Sequence, residues 1–413
     1  MKPHFTCGSL LLALSLLSGC AGGAYTQRSA SGVKIDPMVL QSAEQTVAQR
    51  NLPEELRPEF TALYSEGRQN SVLHAMRAGL MALRLGRADL AKETFDQAIR
   101  EVEALQEGTE QAQRAKSKFV GEREKWFKGE SYERAALYFY RGILFLGDHD
   151  YGNAAACFKR AQLQDITSEE ESGFAGDWTS CELGLALAST WNGVPSDATA
   201  ARQRADKFQS KQGEVPWPTP QTNTLLVVEV GKAPIKYRGG NQGEQLRYLE
   251  EAPQIQQIRV STPTFKVTSA PAENLFFQAT TRGDRQVDFF LRDKASFKED
   301  TSNATVGLAA AAVVASQSER SGIAAGVLGL AAIGTAIASA VSDPSADIRA
   351  WDNLPHSIYL LNLNLPNPDM PLQIEALDQA GNVVNTMTVN DVKISTPTDA
   401  KKLNVLFLRI KTP

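Results

Sequence analysis

The chain has 413 residues and a formal net charge of −4, with 42% apolar and 22% charged residues. That length allows two or three domains and a sizeable core, and the composition is ordinary for globular protein. With no basic excess, a general nucleic-acid role is excluded.

The N-terminus carries the sharpest signal. Lys2 precedes an apolar run from Ser9 to Leu17, and Leu17, Ser18, Gly19 and Cys20 match the bacterial lipoprotein box. The small residues let a signal peptidase bind extended backbone, and the Cys20 thiol takes the diacylglycerol. The run is too short for a finished spanning helix. Residues 1–19 are therefore expected to leave as a signal peptide, with Cys20 as the lipid attachment site. A plain secretory signal that happens to contain cysteine is the alternative. Buried acyl chains anchor at about 0.8 kcal/mol per methylene. Ala21 follows Cys20, where the sorting rule of enteric bacteria directs the protein to the outer membrane, facing the periplasm.

Residues 20–52 begin with small and polar side chains and are expected to form the lipidated tether, with a short helix over Val39–Arg50. From 53 to 212 the period is helical. Ser71–Leu85, Ala88–Lys118, Tyr132–Leu146 and Tyr151–Leu163 place apolar residues three and four apart, and Gly86 and Gly147 fall where helices stop.

A helix-pair pattern recurs within this region. Tyr138, Gly142, Phe145, Ala154, Phe158 and Ala161 form one unit, in which small residues bring two helices close and Phe158 fills the groove. Gly79, Ala91, Phe95 and Ala98 form another, and Leu183, Gly184 and Leu187 begin a partial third. These offsets resemble the tetratricopeptide repeat (TPR). Gly79, Gly142 and Gly184 are 63 and 42 residues apart, against roughly 34 in a regular array. The expectation is a degenerate TPR-like repeat domain that binds protein partners, or else an ordinary bundle reusing Ala and Phe.

Residues 213–222 form a proline-rich linker, in which each proline favours extended chain. Residues 223–413 then read as strands: Thr224–Val230, Ile255–Val260, Leu275–Ala279, Val287–Leu291, His356–Leu365, Leu372–Leu377, Val383–Val389 and Val405–Ile410. Turn signals lie at 282–284 and 379–382. Short strands with such turns predict a β-sandwich-like domain. The fold class expected is therefore α+β multidomain, with an all-α N-terminal half and a β-rich C-terminal half.

An apolar Gly/Ala-rich insertion at 304–342 interrupts the strands. Gly322–Val341 runs 20 residues without a charge, long enough at about 1.5 Å per residue to cross roughly 30 Å of hydrocarbon. Gly322 and Gly326 make a Gly-x-x-x-Gly pair, with Gly329 and Gly334 beyond. The segment reads as a helical hairpin with three open destinations: a bilayer, another copy or another protein, or its own β-domain. Alanine and glycine supply little apolar area, so the drive into a bilayer is modest.

Asp347, Arg349, Trp351, Leu354 and Pro355 follow in an Asp-x-Arg-x-Trp-x-x-Leu-Pro stretch. With the lipobox, the TPR-like half and the apolar segment, it resembles a family of uncharacterised bacterial envelope lipoproteins. The resemblance implies a cell-envelope role, linked through neighbouring genes to peptidoglycan synthesis, and it hands over no catalytic residue. As a structural corner, Trp351 would cap the core and Pro355 would set the start of the next strand.

Cys157 and Cys181 both fall in predicted helices with apolar neighbours. A disulfide between them and two buried free thiols are both open, since the periplasm permits the bridge. His74 and His149 have no ligand-like spacing to either cysteine. No metal, cofactor, nucleophile elbow or phosphate loop is expected, although distant carboxylates can meet in any fold of this size to cleave a glycan. The expected function is a non-enzymatic, lipid-anchored scaffold that binds envelope proteins through the helical half. The alternative is a membrane-associated homo-oligomer, pore-like or transenvelope, built through the Gly/Ala hairpin.

Overall fold

The structure is a computed structural model. It describes residues 27–28, 33–106, 125–166, 177–209, 215–263, 265–281, 345–366, 371–389 and 403–410. Cys20, the strand expected at Val287–Leu291 and the apolar insertion with Gly322, Gly326, Gly329 and Gly334 lie outside the described residues. Within them the fold is mixed α+β, with helices in the N-terminal half and strands in the C-terminal part.

Two residues each of β1 (Gln27–Arg28) and β2 (Lys34–Ile35) pair ahead of α1 (Pro37–Gln49). Asp36 caps α1, its Oδ1 accepting from Met38 N at 2.8 Å, and Pro37 opens a turn that needs no donor there. After α2 (Arg57–Ser65) the helices come as neighbouring pairs: α3 (Ser71–Arg84) with α4 (Ala88–Gln106), α5 (Ser131–Gly147) with α6 (Tyr151–Ile166), and α7 (Thr179–Trp191) with α8 (Pro195–Gln209). Gly86, between α3 and α4, takes φ +71°, which a side chain would oppose.

Aromatic rings fill the glycine notches between paired helices. A Cβ on Gly142 would lie 2.8 Å from the Phe158 ring, and one on Gly184 would lie 2.5 Å from the same ring. Phe95 occupies the equivalent notch at Gly79. All of Phe95, Phe158, Ala91, Ala98, Ala154 and Ala161 are fully buried.

The strands are β3 (Thr224–Val230), β4 (Ile235–Gly239), β5 (Gln245–Leu249), β6 (Gln257–Ser261), β7 (Lys266–Ser269) and β8 (Glu273–Asn274). A short helix α9 (Leu275–Thr280) precedes β9 (Ser357–Leu363), β10 (Leu372–Leu377), β11 (Val383–Val389) and β12 (Asn404–Ile410). One sheet has the order β12-β3-β9-β8, with β12 parallel to β3 and the other pairs antiparallel. A second has the order β11-β10-β6-β7, and β4 and β5 form a hairpin of their own.

The first sheet is buried on both faces, and the period of two sorts its side chains. Leu225, Val227, Ile358, Leu360, Val405 and Phe407 join the core of the helices. Their alternates Leu226, Val228, Tyr359, Leu361, Leu406 and Ile410 join a second core with Ile258, Val260, Leu372 and Ile374 of the second sheet. Helices, first sheet and second sheet are thus successive layers. The proline stretch lies against them: Val215 is buried and Asn362 Nδ2 donates to Pro216 O at 3.0 Å.

One expected strand is a helix. The sequence predicts a strand over Leu275–Ala279, but Asn274 Oδ1 accepts from Phe277 N at 3.0 Å and caps a helical turn. Leu275 still reaches the core. The hairpin β4–β5 carried no sequence expectation, because its outward residues Ile235, Tyr237 and Leu249 are exposed apolar side chains that blur the alternation.

Candidate functional site

A cleft of about 950 Å3 opens where α1, α2 and α3 meet the start of β4 and the strip Asp347–Asp352. Its wall comes from a polar stripe on a helix that is otherwise apolar and buried. Asn70, His74 and Arg77 are four and three residues apart, hence on one face. Gly67, at φ +71°, turns the chain from α2 into α3, so that Glu59 and Glu66 on the α2 side meet that stripe.

His74 is 4% exposed and touches two carboxylates. Its Nδ1 donates to Glu59 Oε1 at 2.5 Å, and its Nε2 lies 2.9 Å from Glu66 Oε2 in an ion-pair contact. Burial alone would lower the His74 pKa, but the hydrogen bonds to Glu59 and Glu66 outweigh it and raise the value above that of ordinary imidazole. Glu66 Oε2 also accepts from Asn70 Nδ2 at 2.7 Å. Asn70 Oδ1 in turn accepts from Arg349 at 2.8 Å.

Arg349 is the hinge between this wall and the strip. It chelates Asp347 through Nε and Nη2 and donates to Lys125 O at 2.9 Å. Its own carbonyl accepts from Lys236 Nζ at 3.0 Å. Lys236, from β4, forms a 2.8 Å ion pair with Glu133 of α5, and neither side chain is more than 1% exposed. Glu133 Oε1 also accepts from Trp351 N at 2.7 Å, and its Oε2 accepts from Glu130 N. The buried charge is thereby paired and its lone pairs are met. Trp351, fully buried, lies edge-on to Phe95 and Tyr140 with centroids 6.1 and 6.0 Å away. That is the burial a structural corner calls for.

The remaining cleft charges alternate in sign. Arg77 Nε is 2.8 Å from Asp352 and Lys232 Nζ is 2.8 Å from Glu251. Ile35, Leu40, Leu73, Ala233 and Ile348 supply apolar lining between them. The arrangement offers shape and mixed charge. Arg77, Lys232, Lys236 and Arg349 are each engaged by a carboxylate, and Arg238 donates to Ala346 O at 3.0 Å.

The other residues singled out in the sequence are elsewhere. Cys157 on α6 and Cys181 on α7 are free thiols, not a disulfide. Burial pushes Cys157 up to about 12 and Cys181 well above the usual range. His149 takes φ 62° in the turn between α5 and α6. His356 Nε2 pairs with Glu250 at 2.8 Å. Among the described residues, no group of three or more His, Cys, Asp or Glu is arranged to hold a metal ion, and no helix is long and apolar enough to cross a membrane.

Comparison with protein-family models, with curated proteins and with solved structures found no match.

Proposed function

We propose that the chain is a non-enzymatic, lipid-anchored scaffold of the bacterial cell envelope that binds protein partners. The single observation that carries this reading is the cleft of about 950 Å3 between α1–α3, β4 and the Asp347–Asp352 strip, in which Arg77, Lys232 and Lys236 are each paired with a carboxylate. Such a surface recognises shape and charge. The lipobox at Leu17–Cys20 supports anchoring, with the outer membrane as the destination through Ala21. The ring-in-notch contacts of Phe95 and Phe158 support reading the helix pairs as TPR-like repeats, which present partner surfaces. The two sheets sharing one core support a sandwich-like scaffold behind them.

Fractionation tests the anchor. The chain is expected with envelope membranes and Cys20→Ser in the soluble periplasmic fraction; an unchanged distribution contradicts the anchor. Partner binding is tested by Arg77→Glu, which reverses a charge at the cleft. It is expected to reduce recovery of one envelope protein at least tenfold while leaving the fold intact. Turnover of purified peptidoglycan by the chain, lost on a carboxylate substitution, would replace the scaffold reading with an enzymatic one.

A further inference from the structure

The hairpin β4–β5 has an outward face that the rest of the described protein leaves exposed. Ile235 pairs with Leu249, Tyr237 with Arg247 and Gly239 with Gln245, so these six positions share one face. Their alternates Lys236, Leu246 and Tyr248 turn inward, toward Glu133, Ala346 and Tyr132. Ile235, Tyr237 and Leu249 are 42%, 47% and 56% exposed, and together they form a patch rather than a scatter. The charged residue of this face, Arg247, leans over Gly239, where a Cβ would lie 2.8 Å from Arg247 Cγ, and it donates to Gln245. A two-stranded hairpin is marginal in water and gains from a covered face.

The chain itself supplies an occupant. Residues 282–344 lie outside the described residues, and both ends of that stretch are at this hairpin. Helix α9, which precedes it, packs beside β5. Ala346, which follows it, is bonded to the hairpin: its N donates to Gly243 O at 2.8 Å and its O accepts from Arg238 Nε at 3.0 Å. The uncharged run Gly322–Val341 ends five residues before Ala346. Five residues reach at most about 18 Å, comparable with the length of a five-residue strand, roughly 17 Å. The run therefore ends within reach of Tyr237 and Leu249.

This tether decides among the occupants. It holds the run at an effective concentration on the order of millimolar, which a second copy or another protein would have to supply in bulk. The surfaces also match in kind. The run has no charge to bury, and Gly326, Gly329 and Gly334 carry no side chain to hold the bulky Tyr237 and Leu249 off.

We propose that the outward face of β4–β5, centred on Tyr237 and Leu249, is the docking surface for Gly322–Val341 of the same chain. Docked there, the run keeps its apolar surface from a bilayer and from other copies. Of the three apolar residues only Ile235 also lines the cleft, so the docking stands whether or not a partner binds the cleft.

The test uses the full chain in living cells, with photoreactive benzoylphenylalanine in place of Tyr237. Irradiation is expected to give a product of monomer mass, with the crosslink mapped by fragmentation to Gly322–Val341. Leu249→Asp is expected to lower its yield at least fivefold. Should the photoreactive variant fail to fold, Leu249→Cys decides. Its maleimide labelling in isolated membranes is expected to quicken at least threefold when Leu330→Asp and Ile333→Asp are added within the run. A product of dimer mass, a product with another protein, a crosslink to any other part of the chain, no crosslink at all, or a yield or labelling rate that ignores these substitutions would each overturn the docking.

Discussion

Lys236 Nζ lies 2.8 Å from Glu133 Oε2, with side chains 1% and 0% exposed, and this pair joins the hairpin to the helices. It does so at the place where the Asp347–Trp351 strip crosses between them, since Lys236 also holds Arg349 O and Glu133 holds Trp351 N.

Removing one partner should be costly. Lys236→Met leaves Glu133 charged and buried, which costs about 3–5 kcal/mol. Adding Glu133→Gln to it removes the orphaned charge and keeps an acceptor for Trp351 N. Urea unfolding is expected to show the double variant more stable than Lys236→Met alone. A double variant less stable than the single one would mean that the pair does not act as a charge pair.

The notch at Gly142 makes a second prediction. An alanine there places Cβ 2.8 Å from the Phe158 ring, and overpacking of this kind costs about 1–3 kcal/mol. Combining Gly142→Ala with Phe158→Leu should recover part of the loss, because the smaller side chain yields the space. Additive costs in a double-mutant cycle would show that the ring does not fill this notch.

How much of this was legible in the sequence differs by element. Helices α3 and α5 and strands β3 and β10 were readable to within a residue or two, because periods of 3.6 and 2 are imposed by one buried face or two. The notch residues Gly142 and Phe158 were readable as a pair for the same reason. The cleft was not. Lys236, Glu133 and Arg349 come from three distant segments, and their pairing depends on tertiary packing. The one local signal was the stripe Asn70–His74–Arg77, polar residues four and three apart on one face of a largely apolar helix. Leu275–Ala279 was misread because apolar content alone does not distinguish a buried turn of helix from a strand.

Glu273 predicts a pH dependence of stability. It is fully buried, and burial, then the nearby Asp177 charge, raise its pKa to about 8. Unfolded chain releases that proton near the ordinary value of 4.5, so stability is full below it and is lost as pH rises toward about 8. The slope is at most about 1.4 kcal/mol per pH unit. Glu273→Gln should flatten it in chemical unfolding between pH 5 and pH 8. A slope unchanged by the substitution would mean that Glu273 is ionised in the folded state.

Cys157 and Cys181 should resist alkylation. With Cys157 near 12 and Cys181 higher still, almost no thiolate exists at pH 8. Iodoacetamide is expected to label neither cysteine in native protein and both after urea unfolding without reductant. Labelling that needs reductant would reveal a bridge between them.

The scaffold reading rests on the cleft, and photo-crosslinking in living cells tests it most directly. A photoreactive residue in place of Ile348, on the cleft rim, is expected to trap one envelope protein. Arg77→Glu on the opposite wall should abolish that crosslink while membrane fractionation is unchanged. A crosslink that persists undiminished with Arg77→Glu, or none at all from Ile348, would contradict the cleft as the partner site.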